Sequence, residues 1–171
     1  MTTPSAALLI DAFGRVQEHV HAVVDGLDHQ ALSRRLDADA NSIAWLIWHM
    51  TRVEDDHVAG LASSEQVWIA DGWADRFALP FDPREHGYGH TSEQVAQVVV
   101  EPGILLGYHD GVHAKTVDYL STLIDEDLPE IVDRRWDPPV TRAVRLVSIV
   151  DDCIQHAGQA AFIRGVIQRA G

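Results

Sequence analysis

Cysteine is nearly missing from this 171-residue chain. With Cys153 alone, no intrachain disulfide can form and a cysteine-rich zinc site is excluded. Basic residues are scarce as well: 13 Lys and Arg face 26 Asp and Glu, for a formal charge of −13. Such a chain is poorly suited to neutralising nucleic-acid phosphates or to docking on an anionic membrane. No apolar run approaches the ~18 residues of a membrane span. The opening Met1-Thr2-Thr3-Pro4-Ser5 lacks the basic segment of a signal peptide. A soluble cytoplasmic protein is the expectation. Internal repeats and low-complexity segments are absent, and no period-two strand pattern stands out apart from a short piece near Ile131-Val132.

What is present describes an ordinary globular chain. Hydrophobic residues make up 46% and charged residues 23%, and the length suits one domain, residues 1–171, with a real core. Helical periodicity dominates. A first helix is predicted from about Pro4 to Leu27, with Leu8, Leu9, Ala12, Val16, Val20, Val23 and Val24 on its apolar face. A linker through Asp37-Ala38-Asp39-Ala40-Asn41 leads to a second helix, capped by Asn41 or Ser42 and continuing to about Leu61. A long connection from about Ser63 to His90 carries Trp68, Trp73, Phe77, Phe81 and Tyr88; a loop of that length usually serves as a lid or pocket wall. A third helix opens with a Thr91/Gln94 capping box and runs to about Ile124, with a kink near Pro102-Gly103. The fourth covers about Val140 to Arg169. The fold class that results is all-α: an antiparallel-type four-helix bundle with a long loop between its second and third helices.

Ten histidines are many for this length. Asp152 and His156 are four residues apart, so on a helix they share one face with Cβ atoms about 5–6 Å apart. In the phase of the fourth helix, His156 falls inside the apolar arc of Leu146, Ile149, Cys153, Ala160 and Ile163, and Asp152 sits on its border. On the second helix, His49 flanks the apolar face of Leu46, Met50 and Val53. Polar groups aimed at a core edge need partners. Boundary histidines bonded to carboxylates would meet that need. So would one metal ion held by His49, Asp152 and His156, with coordination positions left open as in catalytic sites. Two imidazoles and a carboxylate suit Zn²⁺, and also Fe²⁺, Mn²⁺ or Ni²⁺.

Other residues have two readings each. Asp56 returns to nearly the side of His49, as a partner of a ligand imidazole or as a surface carboxylate. His57 lines a pocket, adds a ligand, or is a satisfied core histidine. His90, at a helix start, is a pocket candidate. Cys153 points into the core between Ile149 and Ala160, which favours a small buried hydrophobe over a nucleophile. Arg142, Arg145, Arg164 and Arg169 either meet a polar substrate or form a solvated helix face.

Trp45-Leu46-Ile47-Trp48-His49-Met50 with Glu54-Asp55-Asp56-His57 resembles the second helix of the DinB-like superfamily. Asp152-Cys153-Ile154-Gln155-His156-Ala157-Gly158-Gln159 resembles its fourth-helix motif, and Gly87-Tyr88-Gly89-His90-Thr91-Ser92-Glu93-Gln94-Val95 resembles a loop-to-helix junction in an actinobacterial branch. The resemblance implies a four-helix bundle, often dimeric, with a three-ligand divalent metal site. His49 matches the second-helix ligand and His156 the last ligand. Asp152 stands where many members have a histidine and where the mycothiol-dependent maleylpyruvate isomerases have a glutamate.

Several relatives look like transferases of a low-molecular-weight thiol such as mycothiol or bacillithiol. The implied chemistry is thiolate attack on an electrophilic carbon, with the metal stabilising the thiolate. Mycothiol is the expected co-substrate, because a composition rich in Ala, Asp, Arg and Val with few Lys resembles high-GC actinobacterial proteins. The rival readings are a non-catalytic metal-binding or stress-response protein of the same fold, and a hydrolase in which bound water takes the place of the thiol.

Overall fold

The computed structural model describes residues 2–170; Met1 and Gly171, the ends of the expected 1–171 domain, lie outside it. Helix α1 (Pro4–Val24) starts with Pro4 in its first turn and with the Thr3 hydroxyl accepting from the Ala6 amide. It stops three residues short of Leu27, because Asp25 leaves the helical region and Gly26 takes φ +72°. The short α2 (His29–Ser33), capped by Asp28, occupies part of the expected linker. Helix α3 (Ile43–Ala62) is capped by Ser42, as its sequence predicts. The connection after it is not structureless: α4 (Val67–Ala70) and α5 (Trp73–Phe77) fold within it.

The third expected helix is in fact two. α6 (Ser92–Ala96) has the Thr91/Gln94 capping box, and α7 (Pro102–Thr122) follows after a break. Glu101 is extended, at φ −69° and ψ 142°, because the ring of a following proline excludes the helical region, and Pro102 then opens a new helix. A 3-10 turn at Asp125–Asp127 leads to strand β1 (Ile131–Asp133), which pairs antiparallel with β2 (Val140–Thr141). The last helix, α8 (Arg142–Ala170), therefore starts two residues later than expected.

The bundle consists of α1, α3, α7 and α8, in the cyclic order α1–α7–α3–α8. Contacts along α3 fix the directions. Met50, His57 and Leu61 meet Cys153, Arg145 and Arg142, so α8 runs antiparallel to α3. Thr51 and Glu54 meet His109 and Thr116, so α7 runs parallel to α3. The bundle is thus not antiparallel throughout; the long connection is a crossover that returns the chain to the end where α3 began. No helix among the described residues is long and apolar enough to cross a membrane.

Helix α3 is covered nearly all round, with every residue from Ile43 to Arg52 buried. Neighbouring helices cover two sides, and the crossover covers a third. Trp68 and Phe77 pack at 5.0 Å between ring centroids, and each also contacts Tyr108 of α7. Arg52, at 0% exposure, anchors this cover. It donates to the carbonyls of Pro83 and Glu85 and to Gln66 Oε1. Asp55, 3.7 Å from it, accepts from the amides of Val67 and Trp68 and from the Tyr108 hydroxyl. Arg52→Met is expected to lower the unfolding free energy by about 3–5 kcal/mol, since it leaves Asp55 buried without its cation. Urea titration measures this; a loss below about 1 kcal/mol would place the pair with ordinary surface bridges.

Glu54 lies at 1% exposure inside the bundle, where Thr116 Oγ1 donates to it at 2.6 Å and Cys153 Sγ lies 3.8 Å away. Burial, only partly offset by these bonds, pushes its pKa up to about 7. A carboxyl whose folded pKa is raised is neutral in both states at low pH. As pH climbs from its ordinary range towards 7, the unfolded chain ionises first, so stability falls. Glu54→Gln removes this loss while keeping an acceptor for Thr116. Its melting temperature is expected to exceed the parent's at pH 8 and to match it near pH 4.5; a difference independent of pH would contradict the assignment.

Candidate metal centre

Helices α3 and α8 bring His49, Asp152 and His156 together, with one ligand atom from each lying within 4.8 Å of the others. One turn of α8 separates Asp152 from His156, whose Nε2 is 3.6 Å from Asp152 Oδ1. The rings of His49 and His156 meet edge-on at 5.0 Å. Trp45, one turn before His49, stacks on its ring at 4.7 Å and lies nearly perpendicular to the His156 ring, at 6.4 Å between centroids. His49 is buried, while the Asp152 and His156 side chains are 30% and 19% exposed, so the cluster opens to solvent on the α8 side.

Each imidazole is held by its Nδ1. His49 Nδ1 donates to the carbonyl of His86. His156 Nδ1 donates to Gln159 Oε1 at 2.8 Å. In the neutral ring both bonds put the proton on Nδ1 and leave Nε2 available, the usual outer support of a metal-binding histidine. Burial lowers the pKa of His49, keeping it neutral. For His156 burial also acts downward, but the bonds to Asp152 and Gln159 outweigh it and raise the pKa.

The residues fit a divalent ion. Asp152 Oδ2 is buried with no hydrogen-bond partner, a costly arrangement that a cation would relieve. The donor set of two neutral imidazoles and one carboxylate suits zinc or another first-row metal.

The close approach of the crossover to His49 depends on Gly87. It adopts φ +93°, and a Cβ there would lie 2.9 Å from His49 Nδ1 and 3.0 Å from the Trp48 ring. Neither Gly87 nor His86 was assigned a role from sequence. The signal for both is the pair Gly87 and Gly89, each at positive φ.

The remaining candidates lie elsewhere. Asp56 accepts from Gln66 Nε2 at 2.7 Å and sits 3.5 Å from His57 Nδ1; it bonds neither ligand imidazole. Seven residues bring it back to the side of His49, but about 10 Å further along the axis. His57 accepts from Arg145 at 3.2 Å. His90 accepts from Trp45 Nε1, pairs with Glu85, and packs between Trp48 and Phe81, so it braces the wall behind the cluster. Cys153 is fully buried, and burial together with Glu54 pushes its thiol pKa well up, which leaves no thiolate for attack.

The chain matches the family model described as Mycothiol-S-transferase over residues 8–169. A solved structure titled as that of a conserved protein of Enterococcus faecalis is 32% identical, covers 98% of each chain and superposes with a TM-score of 0.90. No curated protein matches.

Gly87→Ala is expected to push the His86 carbonyl off His49 and to weaken metal affinity by about 10- to 100-fold, as loss of an outer-shell partner does. Competition titration against a chromophoric chelator reads this directly. Affinity equal to the parent's would show that the carbonyl does not support the site.

Proposed function

The chain belongs to the mycothiol S-transferase family, and from that premise we propose that it is a divalent-metal-dependent enzyme joining mycothiol, through its sulfur, to an electrophilic small molecule. The family points to a small-molecule thiol as substrate. The observation that carries the metal dependence is the convergence of His49, Asp152 and His156, with Asp152 Oδ2 buried and unpaired.

A divalent ion held there, zinc by preference, would favour the thiolate over the thiol at neutral pH. The chain's own residues do the rest. The His86 carbonyl and Gln159 hold the two rings by Nδ1, so both Nε2 atoms would be free to hold the ion without a reorganisation cost at the moment of reaction. Trp45 walls one side and restricts water. The exposed edges of Asp152 and His156 leave an approach for the thiol and its electrophile. Holding both reactants there supplies the proximity that such a transfer needs. The thiol proton is lost to solvent, the S–C bond forms, and the leaving group departs with its electron pair. A single cytoplasmic domain acting without nucleic acid or membrane, and as a homodimer, completes the proposal.

The test combines metal content with turnover. Protein purified without chelator is expected to hold about one equivalent of metal per chain and to conjugate mycothiol to a panel of electrophiles such as 1-chloro-2,4-dinitrobenzene. His49→Ala and His156→Ala should lose both properties while remaining helical, and Asp152→Asn should lose less metal than either. Bound metal without thiol-dependent turnover would favour a metal-binding protein. Full metal content in both His variants would defeat the site.

A further inference from the structure

Along the same α3–α8 seam lies a second cleft, of about 630 Å³. Arg145 precedes Asp152 by seven residues and His57 follows His49 by eight, so on antiparallel helices both lie about 10–12 Å from the metal cluster, in the same direction.

The cleft is cationic in an acidic protein. Arg134, Arg135, Arg142 and Arg145 line it, against the carboxylates of Asp56, Glu130 and Asp133. His57 adds no charge while its Nε2 accepts from Arg145. The internal pairs leave donors over. Asp133 alone serves both Arg135, at 2.8 Å, and Arg145, at 3.0 Å. Arg142 pairs with Glu130, yet its Nε is buried without an acceptor. Arg134 has no hydrogen bond or ion pair among the described residues and is exposed. Pinning the hairpin to α8 explains the pairs Arg142–Glu130 and Arg145–Asp133. Arg135 joins Asp133 through a local turn, its amide and guanidinium both reaching the carboxylate two residues back, which leaves Arg134 as the guanidinium with no structural partner among the described residues.

We infer that this cleft receives a carboxylate of the electrophilic substrate. The guanidinium fork matches a carboxylate edge-on with two parallel bonds. The substrate is then an elongated acid, its reactive carbon at the metal cluster and its carboxylate about 10 Å away, beside Arg145 and Arg134. Calling this ligand the substrate rests on the S-transferase reading; the anion site itself rests on the cleft.

Isothermal titration of the full-length protein with glutarate tests it. Saturable binding at one site per chain is expected, weakened at least tenfold in the Arg134→Gln/Arg145→Gln double variant and unchanged in His49→Ala. Should the double variant unfold, Arg134→Gln alone serves, since that side chain makes no internal bond, and at least threefold weakening is expected. Absence of saturable binding would overturn the inference. So would binding insensitive to the arginines but lost in His49→Ala, or inorganic phosphate binding as tightly as glutarate. Thiol transfer without glutarate binding defeats this inference alone; glutarate binding without thiol transfer defeats the S-transferase reading alone.

Discussion

The guanidinium of Arg52, with no exposure to water, must satisfy its N–H donors inside the protein. It does so by drawing the crossover onto α3 through the carbonyls of Pro83 and Glu85. The next carbonyl in the chain, that of His86, then lands on His49. A structural requirement of the fold and the orientation of a candidate ligand are thus met by consecutive peptide groups. The aromatic wall follows the same logic, since Trp45, Trp48, His49 and Arg52 recur at helical spacing and face one stretch of chain.

Charge divides the interior of the α3–α8 seam into three zones. In the middle, burial raises the pKa of Glu54 to about 7 and pushes the Cys153 thiol well up, so both hold their protons more tightly than in water. On one side of them, the cluster of His49, Asp152 and His156 offers lone pairs and a negative charge, which select a cation. On the other, the cleft at the β1–β2 hairpin offers guanidiniums, which select an anion. A molecule spanning both would be oriented by its charge distribution before any shape-specific contact is made.

The helical parts of this architecture were legible in the sequence because they rest on local periodicity. Ser42 as a cap, the Thr91/Gln94 box and the shared face of Asp152 and His156 are each set by residues within one turn of each other. His49 was legible through the family resemblance and its phase on the helix. The break at Pro102 was underestimated as a kink, although the exclusion of the preceding residue from the helical region is local too. The parallel course of α7 was hidden, because the direction of return depends on how the crossover packs rather than on the helix that follows. The support of His49 by His86 was hidden for another reason: a backbone carbonyl carries no residue identity. Asp56 shares a side with His49 but not a level, so it and His57 line the neighbouring cleft rather than support the ligand imidazoles.

The central claim is that α3 and α8 build one ion site from His49 Nε2, an Asp152 oxygen and His156 Nε2. Anomalous diffraction from crystals grown with one equivalent of zinc tests it most directly. A single strong peak enclosed by these three side chains, with the His86 carbonyl still on His49 Nδ1, is the predicted result. Density only at surface carboxylates, or an empty cluster with Asp152 turned to solvent, would contradict it.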